Sequence, residues 1–369
     1  MKQSSRDGGH KMGYEIDFLP VGDGSKSGDA IALRYGQLGN PSQQMVIVID
    51  GGYTDDGEAL VELIKTHYKT DYVDVVVSTH PDQDHVAGLE VVLEQLRVGQ
   101  LWMHQPWKQS QALAASRSLN FQSSQMSEKT MKSLQEASDL ELIAVQRGVP
   151  IVEPFTGMTT ADNCFFVIGP DESYYNELIA QLPTATVQET ALSRVLAKAA
   201  ELAQKLVPES LYIETLTDAG DTSIQNNTSV ISVLNVDDRL SIFTGDAGIP
   251  ALERAMDTLE AAGYTPGMAK FVQIPHHGSR RNVGPTILNR MLGEKGTTDT
   301  RGAAYVSAAK DAAPKHPAKK VTNAFRRRGY MPHATVGQAK WHHHQAPDRP
   351  GYSPCEPLPL YSMVEESDE

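Results

Sequence analysis

The chain has 369 residues, with 33 Lys and Arg against 46 Asp and Glu, a formal net charge of −13 and 40% hydrophobic residues. This composition excludes a wholly disordered chain, no apolar run reaches the roughly 20 residues of a membrane-spanning helix, and the length suits one large domain or two ordinary ones. The acidic balance argues against a general nucleic-acid coat, which needs a summed positive field, but it is compatible with a local basic cleft or with bound cations.

The first part of the chain alternates between predicted strands and a predicted helix. Alternating polar and apolar residues predict strands at 14–20 and 29–35. Residues 45–50 and 73–77 are short apolar runs typical of buried strands, and residues 57–68 between them have helical spacing. Strand, helix and strand joined by short links predict an α/β layer fold.

The middle of the chain changes character. At about 106–150 and 171–210 the composition becomes polar and helix-forming, which predicts two helical insertions. Within the second insertion, residues 177–182 and 190–206 are predicted helices, the latter with one apolar stripe. Strand character returns in four short segments, which are residues 165–169, 229–234, 240–244 and 271–274.

The last part of the chain predicts one more helix, at residues 321–328. Residues 365–369 are acidic and are predicted to form a disordered tail. We therefore expect one domain over residues 12–340, followed by a C-terminal extension over residues 341–369.

The strongest chemical signal follows the predicted buried strand at 73–77. Four potential metal ligands, His80, Asp82, Asp84 and His85, fall within six positions on the loop after that strand. Open α/β sheets place their functional sites at the carboxyl ends of strands. Imidazole and carboxylate ligands together suit a divalent ion such as Zn²⁺, Mn²⁺ or Fe²⁺. The alternative is a polar loop that caps a helix, with Asp84 as the N-cap residue.

Two later strands also end in ligand-type residues. Asp246 follows the predicted strand at 240–244, and His276 and His277 follow the one at 271–274. Either motif alone is compatible with an ordinary turn or loop. Three strand ends that deliver His and Asp together indicate a shared metal site.

In combination, these motifs resemble those of the metallo-β-lactamase fold superfamily. The resemblance is carried by HPDQDH at residues 80–85, TGD at 244–246 and HHGS at 276–279, with smaller matches in order from about residue 14 to about residue 335. More narrowly, the chain resembles the branch related to the hydrolase domain of the competence protein ComEC. The resemblance implies an α/β fold, a four-layer αββα sandwich with helical insertions, and a site for two divalent metal ions, Zn²⁺ or Mn²⁺.

The resemblance also implies a role for each ligand-type residue. The expected ligands are His80 and Asp82 for the first ion, Asp84, His85 and one of His276 and His277 for the second, and Asp246 as a bridge between them. The sequence favours His276 as the ligand and His277 as a contact to the substrate or transition state, but either assignment fits.

Two departures from the family pattern affect this expectation. Where many members have a further histidine, this chain has Asn226, Asn227 and Thr228, which implies a weaker or incomplete first site. Asp82 and the asparagines are hard ligands, so they favour Mn²⁺ over Zn²⁺ there. The turn at residues 22–29 is longer than its counterpart in the family, which leaves its contact with the site open.

The implied chemistry is hydrolysis by a metal-activated water. Asp84 or Asp246 is expected to orient that water, and His277 or His316 is expected to give a proton to the leaving group or to hold a phosphate oxygen. The loop at residues 78–85, which carries the first four ligand-type residues, is called the ligand loop below. Asp50 is expected to order this loop through hydrogen bonds rather than to bind metal.

The expected function is a metal-dependent hydrolase of phosphodiesters, acting on a nucleic acid or a nucleotide-like molecule. The alternatives are a hydrolase of lactones, thioesters or other carboxyl esters, and a nucleotide-binding module with little catalysis. A late basic cluster is either a phosphate-binding rim for nucleic acid or a solvated helix face. It consists of Arg280, Arg281, Lys310, Lys315, Lys319, Lys320, Arg326, Arg327 and Arg328.

The cellular location is inferred from two features. The polar N-terminal residues 1–11 contain no apolar stretch of the kind found in secretory signals. The two cysteines, Cys164 and Cys355, are far apart and suggest no disulfide framework. A cytoplasmic protein is therefore expected.

Overall fold

The computed structural model describes residues 12–22, 26–118, 127–182, 206–310 and 316–365. The strands are β1 (Gly13–Phe18), β2 (Ala30–Gly36), β3 (Gln44–Gly51), β4 (Tyr72–Val77), β5 (Arg97–Trp102), β6 (Ile151–Val152), β7 (Phe165–Gly169), β8 (Leu206–Pro208), β9 (Ile231–Val236), β10 (Arg239–Phe243), β11 (Ala269–Gln273), β12 (Gly302–Val306), β13 (Tyr330–Ala334), β14 (Lys340–His344) and β15 (Met363–Glu365). The α-helices are α1 (Thr54–Leu63), α2 (Gln83–Gln95), α3 (Pro106–Gln109), α4 (Gln111–Ser118), α5 (Glu128–Arg147), α6 (Glu172–Gln181), α7 (Ile224–Asn227), α8 (Ile249–Ala261), α9 (Pro285–Leu292) and α10 (Lys319–Arg327).

Two large sheets form the centre of the molecule. The first has the strand order β14-β1-β2-β3-β4-β5-β6, and the second has the order β13-β12-β11-β10-β9-β7. In the first sheet β3 to β6 run parallel, and in the second β10 to β13 run parallel. The parallel strands of each sheet therefore bring the loops after their carboxyl ends to one edge.

The two sheets pack face to face through an apolar core. Alternate residues of β1, namely Tyr14, Ile16 and Phe18, join this core together with Phe243 and Phe271 from the second sheet. Because successive side chains of a strand point to opposite faces, the residues between them lie on the outer face of the first sheet. This period of two is the pattern that identified the strand in the sequence.

Helices cover the outer faces of both sheets. Helices α1, α2 and α5 share one buried apolar cluster with the outer face of the first sheet. Helices α8, α9 and α10 share another with the outer face of the second sheet. The layers are therefore helix, sheet, sheet and helix, which confirms the expected αββα sandwich. No helix among the described residues combines the length and apolar character needed to cross a bilayer.

Most predicted elements have a counterpart in the structure. The segment 165–169 coincides with β7, and the insertion at 106–150 forms α3, α4 and α5. The helix predicted at 190–206 lies almost entirely outside the described residues, and so does Lys315 of the late basic cluster. In the second insertion, α6 begins at Glu172, earlier than predicted, because the side chain of Asp171 caps its first turn.

The C-terminal part contains two strands that the sequence did not predict, and residues 366–369 of the predicted disordered tail lie outside the described residues. The boundary placed between residues 340 and 341 falls inside β14, which pairs with β1 at the edge of the first sheet. Glu365, predicted to begin a disordered tail, is the last residue of β15, which pairs antiparallel with β8. Strand pairing between residues far apart in the chain overrides the polar local composition here.

Helix α10 buries cationic side chains. Arg327 and Arg328 are fully buried, and Lys320 is also buried. Nη2 of Arg327 lies 2.7 Å from Oε2 of Glu209, and Nη1 of Arg328 lies 2.7 Å from Oε1 of Glu214. These three members of the late basic cluster therefore do not belong to a solvent-facing rim, and the prediction is wrong for them.

Removal of one partner of such a buried pair tests its contribution to stability. We expect Glu209→Ala to lower the free energy of unfolding by roughly 3–5 kcal/mol, because it leaves the guanidinium of Arg327 buried without its counter-charge. Urea denaturation followed by circular dichroism measures the change. As a control, Asp71→Ala removes an ion pair with Arg97 that is exposed to water, and no measurable change is expected. Equal losses in the two variants would contradict this account.

Candidate metal centre

The loops after strands of both sheets meet at one edge of the sandwich. His80 follows β4 of the first sheet, whereas Asp246 and the pair His276 and His277 follow β10 and β11 of the second. Nε2 of His80 lies 3.7 Å from Oδ2 of Asp246, and Nε2 of His276 lies 3.6 Å from the same oxygen. The structure thus brings together residues that are about 200 positions apart in the chain.

A compact group of imidazoles and carboxylates occupies this edge. The rings of His80 and His85 are 4.2 Å apart between centroids, and Nε2 of His85 lies 3.6 Å from Oδ1 of Asp246. On the other side of His85, Nε2 of His277 lies 3.8 Å from Oδ2 of Asp84. The side chains of this group are all buried or half-buried.

The carboxylates of the group have shifted pKa values. Burial raises the pKa of Asp84, but the positive charges of His85 and His277 outweigh it and hold that pKa well below its usual value. Burial also raises the pKa of Asp246, but the nearby His276, His85 and His277 outweigh it. They hold that pKa well below its usual value. For His277, burial lowers the pKa, but Asp246, Asp84 and Asp29 raise it to about 9. Both carboxylates are therefore available as anions at neutral pH.

Several buried polar atoms of this group have no hydrogen-bond partner among the described residues. They are Nε2 of His80, Nε2 of His85, Oδ1 of Asp246, and both ring nitrogens of His277. Buried polar atoms without a partner are rare in folded proteins, and they often mark the place where an ion binds. Ligand atoms also converge within 4.8 Å in three combinations, which are Asp50–His80–His85, Asp84–His85–His277 and Asp29–His85–Asp246. The donor set therefore fits a divalent metal ion.

Asp50 holds the ligand loop in place. Its Oδ1 accepts the backbone N–H of Thr79 at 2.8 Å, and its Oδ2 accepts the hydroxyl of Thr79 at 2.6 Å. Oδ2 also lies 2.7 Å from Nδ1 of His85, which directs Nε2 of that ring toward Asp246. Asp50 itself has a left-handed backbone with φ of 56°, a strained conformation of the kind found at functional sites. This is the loop-ordering role expected from the sequence.

Asp29 is a member of the group that the sequence analysis did not identify. Its Oδ2 lies 3.9 Å from Nδ1 of His85 and accepts a hydrogen bond of 2.9 Å from Nε2 of Gln273. A Cβ atom on Gly28 would lie 2.3 Å from the backbone oxygen of Asp84, so the turn before β2 contacts the ligand loop closely. Nothing in the local sequence distinguishes Asp29 from an ordinary turn residue, since its neighbours are brought in by tertiary structure.

Asp82, which was expected to bind the first ion, takes part in none of the three convergent combinations. Its Oδ1 accepts hydrogen bonds from the Ser133 hydroxyl at 3.0 Å and from Nε2 of Gln225 at 3.1 Å. Its Oδ2 lies 2.9 Å from Nζ of Lys129. Asp82 is also the N-cap residue of α2, the position that the alternative interpretation assigned to Asp84.

The two adjacent histidines have different environments. His277 is buried and converges with Asp84 and His85. His276 is partly exposed, and its Nδ1 lies 2.9 Å from Nδ2 of Asn226 and 3.0 Å from Oδ1 of Asn282. Of the two, His277 joins a convergent combination, whereas Nε2 of His276, which the sequence favoured as the ligand, lies 3.6 Å from Oδ2 of Asp246.

An open cleft of about 350 Å³ adjoins the group. It is lined by His276, Ser279, Arg280, Arg281, His316, Ala318 and Glu365. Two close approaches place His316 here. A Cβ atom on Gly278 would lie 2.6 Å from Cβ of Pro317, and the N–H of Ala318 donates to the carbonyl of Gly278 at 3.1 Å.

Comparisons with known proteins give a family match and distant structural neighbours. The family model of the metallo-β-lactamase superfamily matches residues 43–167 and so supports that superfamily for this chain. No curated protein matches significantly. Among solved structures, a candidate metallo-β-lactamase of Thermotoga maritima is 11% identical, with 69% of this chain and 93% of that chain covered and a TM-score of 0.34. A mutant of the CmlA β-hydroxylase is 12% identical, with coverages of 89% and 53% and a TM-score of 0.40. A superfamily protein of the archaeon Sulfolobus tokodaii is 16% identical, with coverages of 74% and 83% and a TM-score of 0.27.

Loss of the Asp50 carboxylate tests the organisation of the ligand loop. We expect Asp50→Asn to weaken divalent metal binding by about 10–100-fold, because partners that orient metal-ligating histidines carry an effect of that size. Competition with a chromophoric chelator measures the affinity. Asp74→Asn is the matched control, since Asp74 accepts the backbone N–H of Val46 at 2.8 Å in the same sheet and does not contact the group. An affinity unchanged in Asp50→Asn would contradict the assigned role.

Proposed function

We propose that this protein is a metal-dependent phosphodiesterase that acts on a nucleic acid or a nucleotide-like substrate and belongs to the ComEC-like branch of the superfamily. The observation that carries the proposal is the position of Arg280 and Arg281. Both line the cleft directly beside the imidazole and carboxylate group. A guanidinium matches the geometry of a phosphate and binds it through two hydrogen bonds, whereas a neutral carboxyl ester gives it no counter-charge.

Metal binding is assigned to five residues of the group, four of which have buried donor atoms without a hydrogen-bond partner among the described residues. We assign His80, Asp84, His85, Asp246 and His277 to this role. A divalent ion held there, Zn²⁺ or Mn²⁺, supplies stabilisation of negative charge and a water of lowered pKa. The lowered pKa values of Asp84 and Asp246 keep both carboxylates anionic at neutral pH, so they can bind a cation.

The cleft supplies groups for the substrate. Nδ1 of His276 lies within hydrogen-bond distance of Nδ2 of Asn226 and of Oδ1 of Asn282, and Nε2 of the same ring lies 3.6 Å from Oδ2 of Asp246. We assign to His276 a contact with the phosphate or its leaving group, and the same role to His316 across the cleft. A ring held at one nitrogen presents its other nitrogen in a fixed direction, which suits a contact with the substrate.

The exposed members of the late basic cluster limit how much nucleic acid the surface can contact. Arg280 is half-buried, whereas Arg281, Lys310 and Lys319 are exposed. Arg327 and Arg328 are bound to glutamates in the interior, and Arg280 and Arg281 are the members of the late basic cluster that line this cleft. A short phosphodiester segment therefore suits this surface better than a long duplex.

The first experiment compares substrate classes. Metal-free protein is assayed with Zn²⁺ or Mn²⁺ restored, on bis(p-nitrophenyl) phosphate and linear DNA on one side and on p-nitrophenyl acetate and a lactone on the other. We expect metal-dependent turnover of the phosphodiesters, with Asp84→Ala lowering it more than about 100-fold, since a lost ligand costs at least as much as a lost outer partner. Turnover confined to carboxyl esters would move the assignment to that alternative, and bound nucleotide without turnover would favour a binding module.

The second prediction concerns the two arginines. Replacement of both, in Arg280→Ala/Arg281→Ala, is expected to lower kcat/KM for phosphodiesters by about 10–100-fold, the equivalent of one lost charge-assisted hydrogen bond or more. Turnover of a neutral carboxyl ester, where any is present, should not change. Arg254→Ala is the control, because Arg254 lies on α8 beside Asp171 rather than in the cleft. An equal loss in the control would contradict a specific phosphate contact.

A further inference from the structure

The insertion helix α5 contacts the ligand loop directly. It begins after Ser127 and places Lys129, Thr130 and Ser133 against that loop and α7. Nζ of Lys129 lies 2.9 Å from Oδ2 of Asp82, whose side chain is only 8% exposed. The insertion therefore supplies a positive charge to the carboxylate that the family pattern assigns to the first metal ion.

Both oxygens of Asp82 are engaged by this arrangement. Oδ2 faces the ammonium of Lys129, and Oδ1 accepts from the hydroxyl of Ser133 and from Nε2 of Gln225. The amide of Gln225 is fixed in that orientation, since its Oε1 accepts the hydroxyl of Thr130 at 3.3 Å. Asp82 takes part in none of the convergent ligand groups found among the described residues.

The other side of the first ion's position also lacks a ligand. Asn226 stands where many family members have a histidine, and its Oδ1 accepts the hydroxyl of Ser223 at 2.5 Å. Its Nδ2 faces the ring of His276 at 2.9 Å and carries no lone pair for a metal. Of the residues expected around the first ion alone, His80 is the one that faces Asp246.

We infer that this protein holds one divalent ion rather than two, and that the ammonium of Lys129 takes the place of the first ion as the counter-charge of Asp82. A second divalent cation on Oδ2 of Asp82 would have to displace the ammonium of Lys129, whose positive charge opposes its approach. The inference goes beyond the proposed function and does not depend on which ester is hydrolysed.

Metal counting on the full chain tests the inference. Metal-free protein is titrated with Mn²⁺ by isothermal calorimetry, and the bound metal is counted by elemental analysis after gel filtration. We expect one ion per chain, with the paramagnetic resonance of isolated Mn²⁺. In Lys129→Met, which keeps the apolar stem and removes the charge, the count should rise toward two and the signal of exchange-coupled ions should appear.

Two further variants complete the design. Lys132→Met is the matched control on the same helix, because Nζ of Lys132 donates to Oε1 of Gln83 at 2.8 Å and does not contact Asp82. It should bind one ion, as the unmodified chain does. Asp82→Asn should also retain one ion with unchanged affinity, and its fold is checked by thermal denaturation.

Three results would overturn the inference. They are two ions of similar affinity in the unmodified chain, no bound ion at all, and a lower count or weaker binding in a folded Asp82→Asn protein. None of these results depends on activity, so a failure of the phosphodiesterase assignment is distinguishable from a failure of the metal stoichiometry.

Discussion

The carboxylate of Asp246 interacts with side chains from both sheets of the sandwich, and the candidate metal centre depends on this contact. It follows a strand of the second sheet, yet two of the imidazoles that face it, His80 and His85, follow a strand of the first. The apolar core between the sheets sets how close these loops come. Since both loops leave the carboxyl ends of parallel strands, the register of the sheets places the anion among the rings, and the lowered pKa of Asp246 follows from that placement.

Local sequence patterns predicted the strands and the ligand-bearing loops, because a period of two and a strand end followed by His or Asp are visible within about ten residues. They did not reveal Asp29 or Lys129. Asp29 becomes part of the site only because Gln273 and His85, brought in by other strands, surround it. The different environments of His276 and His277 also required tertiary structure, since the amides of Asn226 and Asn282 come from distant parts of the chain to contact the ring of His276.

The insertion that contains α5 illustrates how a decoration of the fold becomes part of its site. Its composition indicated a polar helix, and a cover over the cleft would satisfy that description equally well. In the structure, an apolar stripe of α5 joins the buried cluster that α1 and α2 form with the outer face of the first sheet. In this position the N-terminal turn of α5 faces the ligand loop. A lysine and a serine at i and i+4 then lie on the same helix face and meet one carboxylate.

The pKa of Asp29 shifts in the opposite direction to the pKa values of Asp84 and Asp246. Burial raises the pKa of Asp29, and the nearby His277 and His85 only partly offset it. At Asp84 and Asp246 the same imidazoles prevail over burial, and the pKa is lowered. Carboxyl groups whose pKa values are driven apart within one site perform different tasks. The lowered pKa values of Asp84 and Asp246 suit cation binding, whereas burial leaves Asp29 the weaker acid of the three, with Nε2 of Gln273 donating to its Oδ2 at 2.9 Å.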